Sequence, residues 1–159
     1  MVTAYRNTHG VNTVILRIFN TYGPRMRPND GRVIPTFIRQ ALDGEPLTVA
    51  GDGQQTRSVC YVSDLVTGIL TMAADDHPGP INLGNPSELT VEQIARDIIA
   101  VTGSDAGIRY VPRPQDDPQI RRPDTTLAQQ VLRWSPNVQW AEGIERTVES
   151  MRPAVPNPA

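Results

Sequence analysis

The 159-residue chain has no lysine: all fifteen of its basic residues are arginine. Codon bias and function are both open as sources of that pattern. Either way it excludes a Tyr-x-x-x-Lys catalytic pair within this sequence, since Tyr5 has no Lys four positions on. Cysteine is nearly missing too. Cys60 stands alone, which excludes an internal disulfide and fits a reducing cytosol. Two histidines and one cysteine are too few for an ordinary zinc site. No apolar run approaches the roughly 20 residues of a membrane span, and the N-terminus lacks a charged-then-apolar signal pattern, so the expectation is a soluble, cytoplasmic chain. No G-x-G-x-x-G occurs; Gly51-Asp52-Gly53 runs on into Gln-Gln-Thr and reads as a turn. The net charge of −2 gives no reason to expect a nucleic-acid or membrane-surface binder.

What is present is enough for one domain with a core, although an apolar fraction of 38% is low and fifteen prolines imply many loops. Thr13–Phe19, "TVILRIF", reads as a buried strand that runs into the polar turn "NTYGP". "RVIPTFIRQALDGEP" predicts an amphipathic helix, with Pro35 in its first turn and Gly44 at its stop. "LTVA" and "SVCYV", flanking "GDGQQTR", suggest a strand pair. "SDLVTGILTMAAD" predicts a helix capped by Ser63 or Asp64, and "PINLG" a short strand. "LTVEQIARDIIAVTG" has a capping-box pattern at Thr90 and Gln93, with Val91, Ile94, Ala95, Ile98 and Ile99 on one face. "IRYVP" reads as a strand, "RPQDDPQIRRPD" as a loop, "TTLAQQVL" and "WAEGIERTVESM" as two last helices, and "RPAVPNPA" as a frayed tail. The alternation suits an α/β fold without repeats or a long linker.

The arginines cluster where loops leave predicted strands. "LRIFNTYGPRMRPNDGR" holds four of them. Guanidinium forks at Arg25, Arg27 and Arg32 suit phosphate or carboxylate oxygens, and also suit plain solvation. Arg57 enters an apolar β-rich segment, either as a fork reaching into a cleft or as an edge charge. Arg121 and Arg122 share a loop with Asp116, Asp117 and Asp124, where internal ion pairing is the local expectation. Asn20 and Thr21 could orient a ligand or only satisfy turn backbone. Cys60, among β-branched and aromatic neighbours, reads as a core residue rather than a nucleophile.

Taken in order, "RIFNTYGPRM", "NDGRVIPTFI", "PLTVAGDGQQTRSVCYVSDLV", "INLGNP" and "DDPQIRRPD" resemble the C-terminal half of the extended short-chain dehydrogenase/reductases, the NAD-dependent epimerase/dehydratase family. The likeness runs from Met1 to about Met151 and is closest to the UDP-glucuronate decarboxylase (UDP-xylose synthase) branch, with dTDP-glucose 4,6-dehydratases and epimerases as competitors. It implies the C-terminal part of an extended Rossmann-type nucleotide-sugar enzyme: residues 1–30 as a remnant of the NAD-binding domain, 31–152 as the nucleotide-sugar-binding region and 153–159 as a disordered tail. It implies Asn20 near the substrate, Thr21 on the NAD side, Tyr5 near the sugar, and Arg32, Arg57 and Arg121 toward the nucleotide and its diphosphate. The implied partners are a UDP-sugar, and a second copy or a separate chain supplying the Rossmann half.

Three departures accompany the likeness. Ala50 stands where an aromatic is common, and Thr8-His9 replace a usual Gln-Glu. The family's Gly-rich NAD turn, active-site Thr or Ser, and Tyr-x-x-x-Lys would precede Met1. The family reaction oxidises the sugar C4 with NAD, loses CO2 and returns the hydride, so the expectation is a chain inactive alone, with no catalytic residue of its own. The other readings are a non-catalytic nucleotide-sugar-binding module and a gene fragment.

Overall fold

The computed structural model describes residues 1–152. The expected tail at 153–159 lies outside the described residues. In chain order the elements are α1 (Val2–His9), β1 (Leu16–Ile18), β2 (Thr21–Tyr22), α2 (Val33–Leu42), β3 (Leu47–Ala50), β4 (Thr56–Arg57), β5 (Cys60–Tyr61), α3 (Val62–Ala73), β6 (Ile81–Leu83), β7 (Leu89–Thr90), α4 (Val91–Thr102), β8 (Ile108–Val111), α5 (Thr126–Leu132) and α6 (Trp140–Met151). The fold class is α/β, and the chain forms two compact units, each assembled from three separate segments.

The first unit comprises Met1–Thr21, Ser58–Glu88 and Arg121–Val138. Its sheet is the parallel pair β1–β6, with Leu16, Arg17 and Ile18 in register with Ile81, Asn82 and Leu83. Ile81, Leu83, Leu65, Met72, Ala128, Leu132 and Trp134 form its apolar core with Cys60. The strand expected across Thr13–Phe19 is shorter and less buried than its composition suggests: Ile18 is 55% exposed. β6 is its only strand neighbour among the described residues. α1 buries none of its side chains.

α3 begins at Val62, and neither Ser63 nor Asp64 caps it; Tyr61 holds that position without a side-chain cap bond. Asp64 is instead buried in the first turn, where its carboxylate accepts the amides of Asn137 and Val138. A carboxylate with two main-chain donors elsewhere has no need of its own helix end.

The second unit comprises Tyr22–Arg57, Leu89–Ile120 and Gln139–Ala159, described to residue 152. Its core follows the predicted periodicities. α2 contributes Ile34, Phe37, Ile38 and Ala41, and α4 contributes Val91, Ile94, Ala95 and Ile98, both at the i, i+3, i+4, i+7 spacing of one helical stripe. Leu47 and Val49 of β3, and Ile144 and Val148 of α6, are buried with them. β3 runs parallel to β8, pairing Leu47 with Ile108 through to Ala50 with Val111. This corrects the expected pairing of "LTVA" with "SVCYV". The chain leaves β3 through Gly51–Gln55 into β4, which pairs antiparallel with β7. In the first unit, Cys60 of β5 donates its amide to the Asn20 carbonyl at 2.9 Å.

The Thr90 cap is observed: its hydroxyl accepts the Gln93 amide at 3.0 Å. The return half of the capping box is not, because the Gln93 side chain donates to Asp97 at 2.6 Å.

Candidate nucleotide-sugar site

In the first unit, the strand end after β1 sets Asn20 and Thr21. The Asn20 carbonyl is committed to β5, which fixes its backbone. The Thr21 hydroxyl donates to the Phe19 carbonyl at 2.9 Å, so it shapes the turn through its proton and keeps its oxygen lone pairs. Tyr5 is exposed on α1 and packs its ring against His9, centroids 4.4 Å apart. Arg121 accepts the Ser58 amide at its carbonyl, 3.2 Å away, while its guanidinium is exposed and makes no ion pair among the described residues. Beside it, Ser58 is 1% exposed and its Oγ has no hydrogen-bond partner among the described residues.

In the second unit, Arg32 sits at the N-cap position of α2. Its Nε donates to Asp30 Oδ2 at 2.6 Å and its amide to Asp30 Oδ1 at 3.0 Å. Those hydrogen bonds, chiefly the one from the side chain, hold the Asp30 carboxyl below its ordinary range. Arg25 adopts a left-handed backbone, φ +69°, an uncommon strain for a side chain with a Cβ.

Arg57 is the least exposed of the expected arginines, its side chain 12% accessible. Nη1 donates to the carbonyls of Thr56 and Pro118 at 2.7 and 2.9 Å, and Nη2 is bound by Asp117. Asp117 also takes Nε of Arg113 at 3.2 Å. The expectation that Arg121 and Arg122 pair inside their own loop is therefore corrected. Asp117 turns to Arg57 and Arg113, Arg122 reaches Glu88 at 3.2 Å, and the Asp124 carboxyl is held low first by its bonds to Thr126, with Arg122 a smaller contribution. Local charge counting missed this because Arg57 lies 60 positions from Asp117. The signal available was a lone arginine in an apolar segment, which needs a counter-charge.

Cys60 is fully buried, and burial, helped by the nearby Asp64 charge, pushes its thiol up to about 12. It is a core residue. Among the described residues no group of three His, Cys, Asp or Glu could hold a metal, and no helix is long and apolar enough to cross a membrane.

Parallel strand pairs with helices define an α/β protein. The chain belongs to the NAD dependent epimerase/dehydratase family, whose pattern matches residues 1–84. It is 47% identical over 148 residues to UDP-glucuronic acid decarboxylase 6 of Arabidopsis thaliana, covering 93% of this chain and 43% of that one. Among solved structures it resembles UDP-glucose 4-epimerase of Thermotoga maritima, determined with UDP-glucose (TM-score 0.88, 31% identity, 93% of this chain and 48% of that chain). It also resembles UDP-glucuronic acid 4-epimerase of Bacillus cereus, determined with UDP-glucuronic acid and NAD (TM-score 0.84, 28% identity, 94% and 48%). The chain thus spans about half the length of the relatives it matches.

Gly51 and Gly53 end β3 in a turn, and a Cβ on Gly53 would lie 2.9 Å from Val49 and Glu92, so that glycine serves close packing rather than an open pyrophosphate cradle.

Proposed function

We propose that this chain is the nucleotide-sugar-binding part of an enzyme of the UDP-glucuronate decarboxylase type, which converts UDP-glucuronate to UDP-xylose with NAD supplying and recovering the hydride. The observation that carries the reading is the 47% identity to a UDP-glucuronic acid decarboxylase along 93% of the chain. The region 31–152 supplies the three arginines of the binding set. Arg32, Arg57 and Arg121 take the nucleotide and its diphosphate, Tyr5 and Asn20 the sugar, and Thr21 the cofactor side. The physical support is charge and preorganisation: a diphosphate carries about two negative charges, and planar guanidinium forks match its oxygens better than ammonium groups do.

Without lysine, these residues lack the partner that lowers a catalytic tyrosine from its ordinary pKa of about 10, so the chain binds and orients but does not decarboxylate by itself. The edge of β1 that is unpaired among the described residues favours a partner surface, either a second copy or a chain carrying the Rossmann half.

Calorimetric titration tests the reading. UDP and UDP-glucuronate bind, dTDP-glucose binds more weakly, and NAD plus UDP-glucuronate releases no CO2 above a no-protein control. Tighter dTDP-glucose binding would move the assignment to the dehydratases, and CO2 release would overturn the claim of dependence.

A further inference from the structure

We infer that Asp117 is a positioning residue for Arg57, setting the guanidinium plane that meets the diphosphate; this rests on the nucleotide-sugar reading above. Two cations converge on one carboxylate: Oδ1 takes Nη2 of Arg57, and Oδ2 takes Nε of Arg113. The three side chains are 12%, 28% and 23% exposed for Arg57, Arg113 and Asp117, too withdrawn for water to screen two adjacent guanidiniums fully. The carboxylate between them cancels that repulsion and leaves the cluster with one net positive charge.

The surrounding chain is built to hold the carboxylate in place. Arg113 Nη2 returns to the Asp117 carbonyl at 2.9 Å, and the Asp117 amide donates to the Pro114 carbonyl at 3.3 Å. The Thr56 amide, next to Arg57, donates to the Gln119 carbonyl at 2.9 Å. Residues 112–120 bury no side chain fully. A segment without core residues is held here by polar contacts centred on one ion triad, a costly way to secure a loop unless the arginine inside it must keep one orientation.

Because Nη1 spends its hydrogens on the Thr56 and Pro118 carbonyls and Nη2 is on Asp117, the fork cannot rotate without breaking three bonds. An anion that meets such a fork does not have to order it first. Asp117 thereby acts on the ligand through Arg57 and not by contact.

The test is a double-mutant cycle on UDP affinity, measured by calorimetry on the 159-residue chain. Asp117→Asn weakens UDP binding about tenfold, Asp117→Glu retains most of it, and Asp117→Asn adds nothing further in an Arg57→Ala background. Unchanged or tighter UDP binding in Asp117→Asn overturns the inference, the latter by marking the carboxylate as a competitor of the diphosphate. Additive losses in the cycle also overturn it, because they place the effect outside Arg57. A wild-type chain that does not bind UDP removes the nucleotide-sugar reading and this inference together, an outcome distinct from wild-type binding with an indifferent Asp117.

Discussion

The indole N–H of Trp134 donates to the main-chain carbonyl of Asp64 at 2.9 Å, while the Asp64 carboxylate accepts the amides of Asn137 and Val138, both at 2.9 Å. One residue at the start of α3 thus fastens the segment that follows α5. Neither end of the tie is visible from local pattern, since the partners lie 70 to 74 positions apart.

Replacing Asp64 by Ala removes two charge-assisted bonds from a buried acceptor and lowers the unfolding free energy by about 2–3 kcal/mol. Asp64→Asn keeps one acceptor oxygen and loses less. Urea denaturation of both variants checks the order; equal losses would show that shape rather than acceptance matters at this position.

Gly53→Ala destabilises for two separable reasons. The backbone is left-handed, φ +74°, and the new Cβ meets Val49 and Glu92 at 2.9 Å. Gly31 shares the first feature, φ +78°, with nothing within 4 Å. Gly31→Ala therefore costs about 1 kcal/mol and Gly53→Ala about 2–4 kcal/mol. Paired thermal melts read the difference, and matching shifts would remove the steric term.

Thr90→Ala removes the α4 cap and costs about 1 kcal/mol, whereas Thr90→Ser is close to neutral. Amide exchange at Gln93, which donates to Thr90 at 3.0 Å, accelerates in the Ala variant ahead of the rest of the helix. Uniform acceleration along α4 would mean that the cap does not act locally.

The Cys60 thiol, raised from 9 to about 12 by burial first and the Asp64 charge second, stays protonated in the folded chain where the unfolded chain ionises. Its contribution to stability is complete below pH 9 and falls as pH rises from there toward 12, because the unfolded state releases the proton first. Native protein at pH 8 is inert to a disulfide reagent and reacts once unfolded in urea, and Cys60→Ala flattens the alkaline decline. Rapid labelling of the native thiol would contradict the burial.

The helices were largely legible because a 3.6-residue repeat records which face meets a core: α2 and α4 bury the stripes their sequences display. The strands were legible as segments but not as pairs. β3 and β5 were placed correctly as strands, yet β3 joins β8 because alternation marks a face and carries no information about the neighbour. The expected site residues came from ordered motifs and not from local setting, which left Arg57 open and favoured ion pairing for Arg121, while the bridge that Asp117 makes to Arg57 was assigned to its own loop.

The sequence by itself determined the α/β class, the helical faces and the Thr90 cap, along with a lysine-free inventory that leaves only arginine as a fixed cation. These depend on neighbours within a few residues or on composition. Tertiary structure alone decided that β1 lies at an edge with Ile18 exposed, that Asp64 holds a distant loop instead of capping its helix, and that Arg57 shares Asp117 with Arg113. Each depends on groups brought together across tens of residues, and a charge or an apolar side chain carries no mark of which distant partner the folded chain will set beside it.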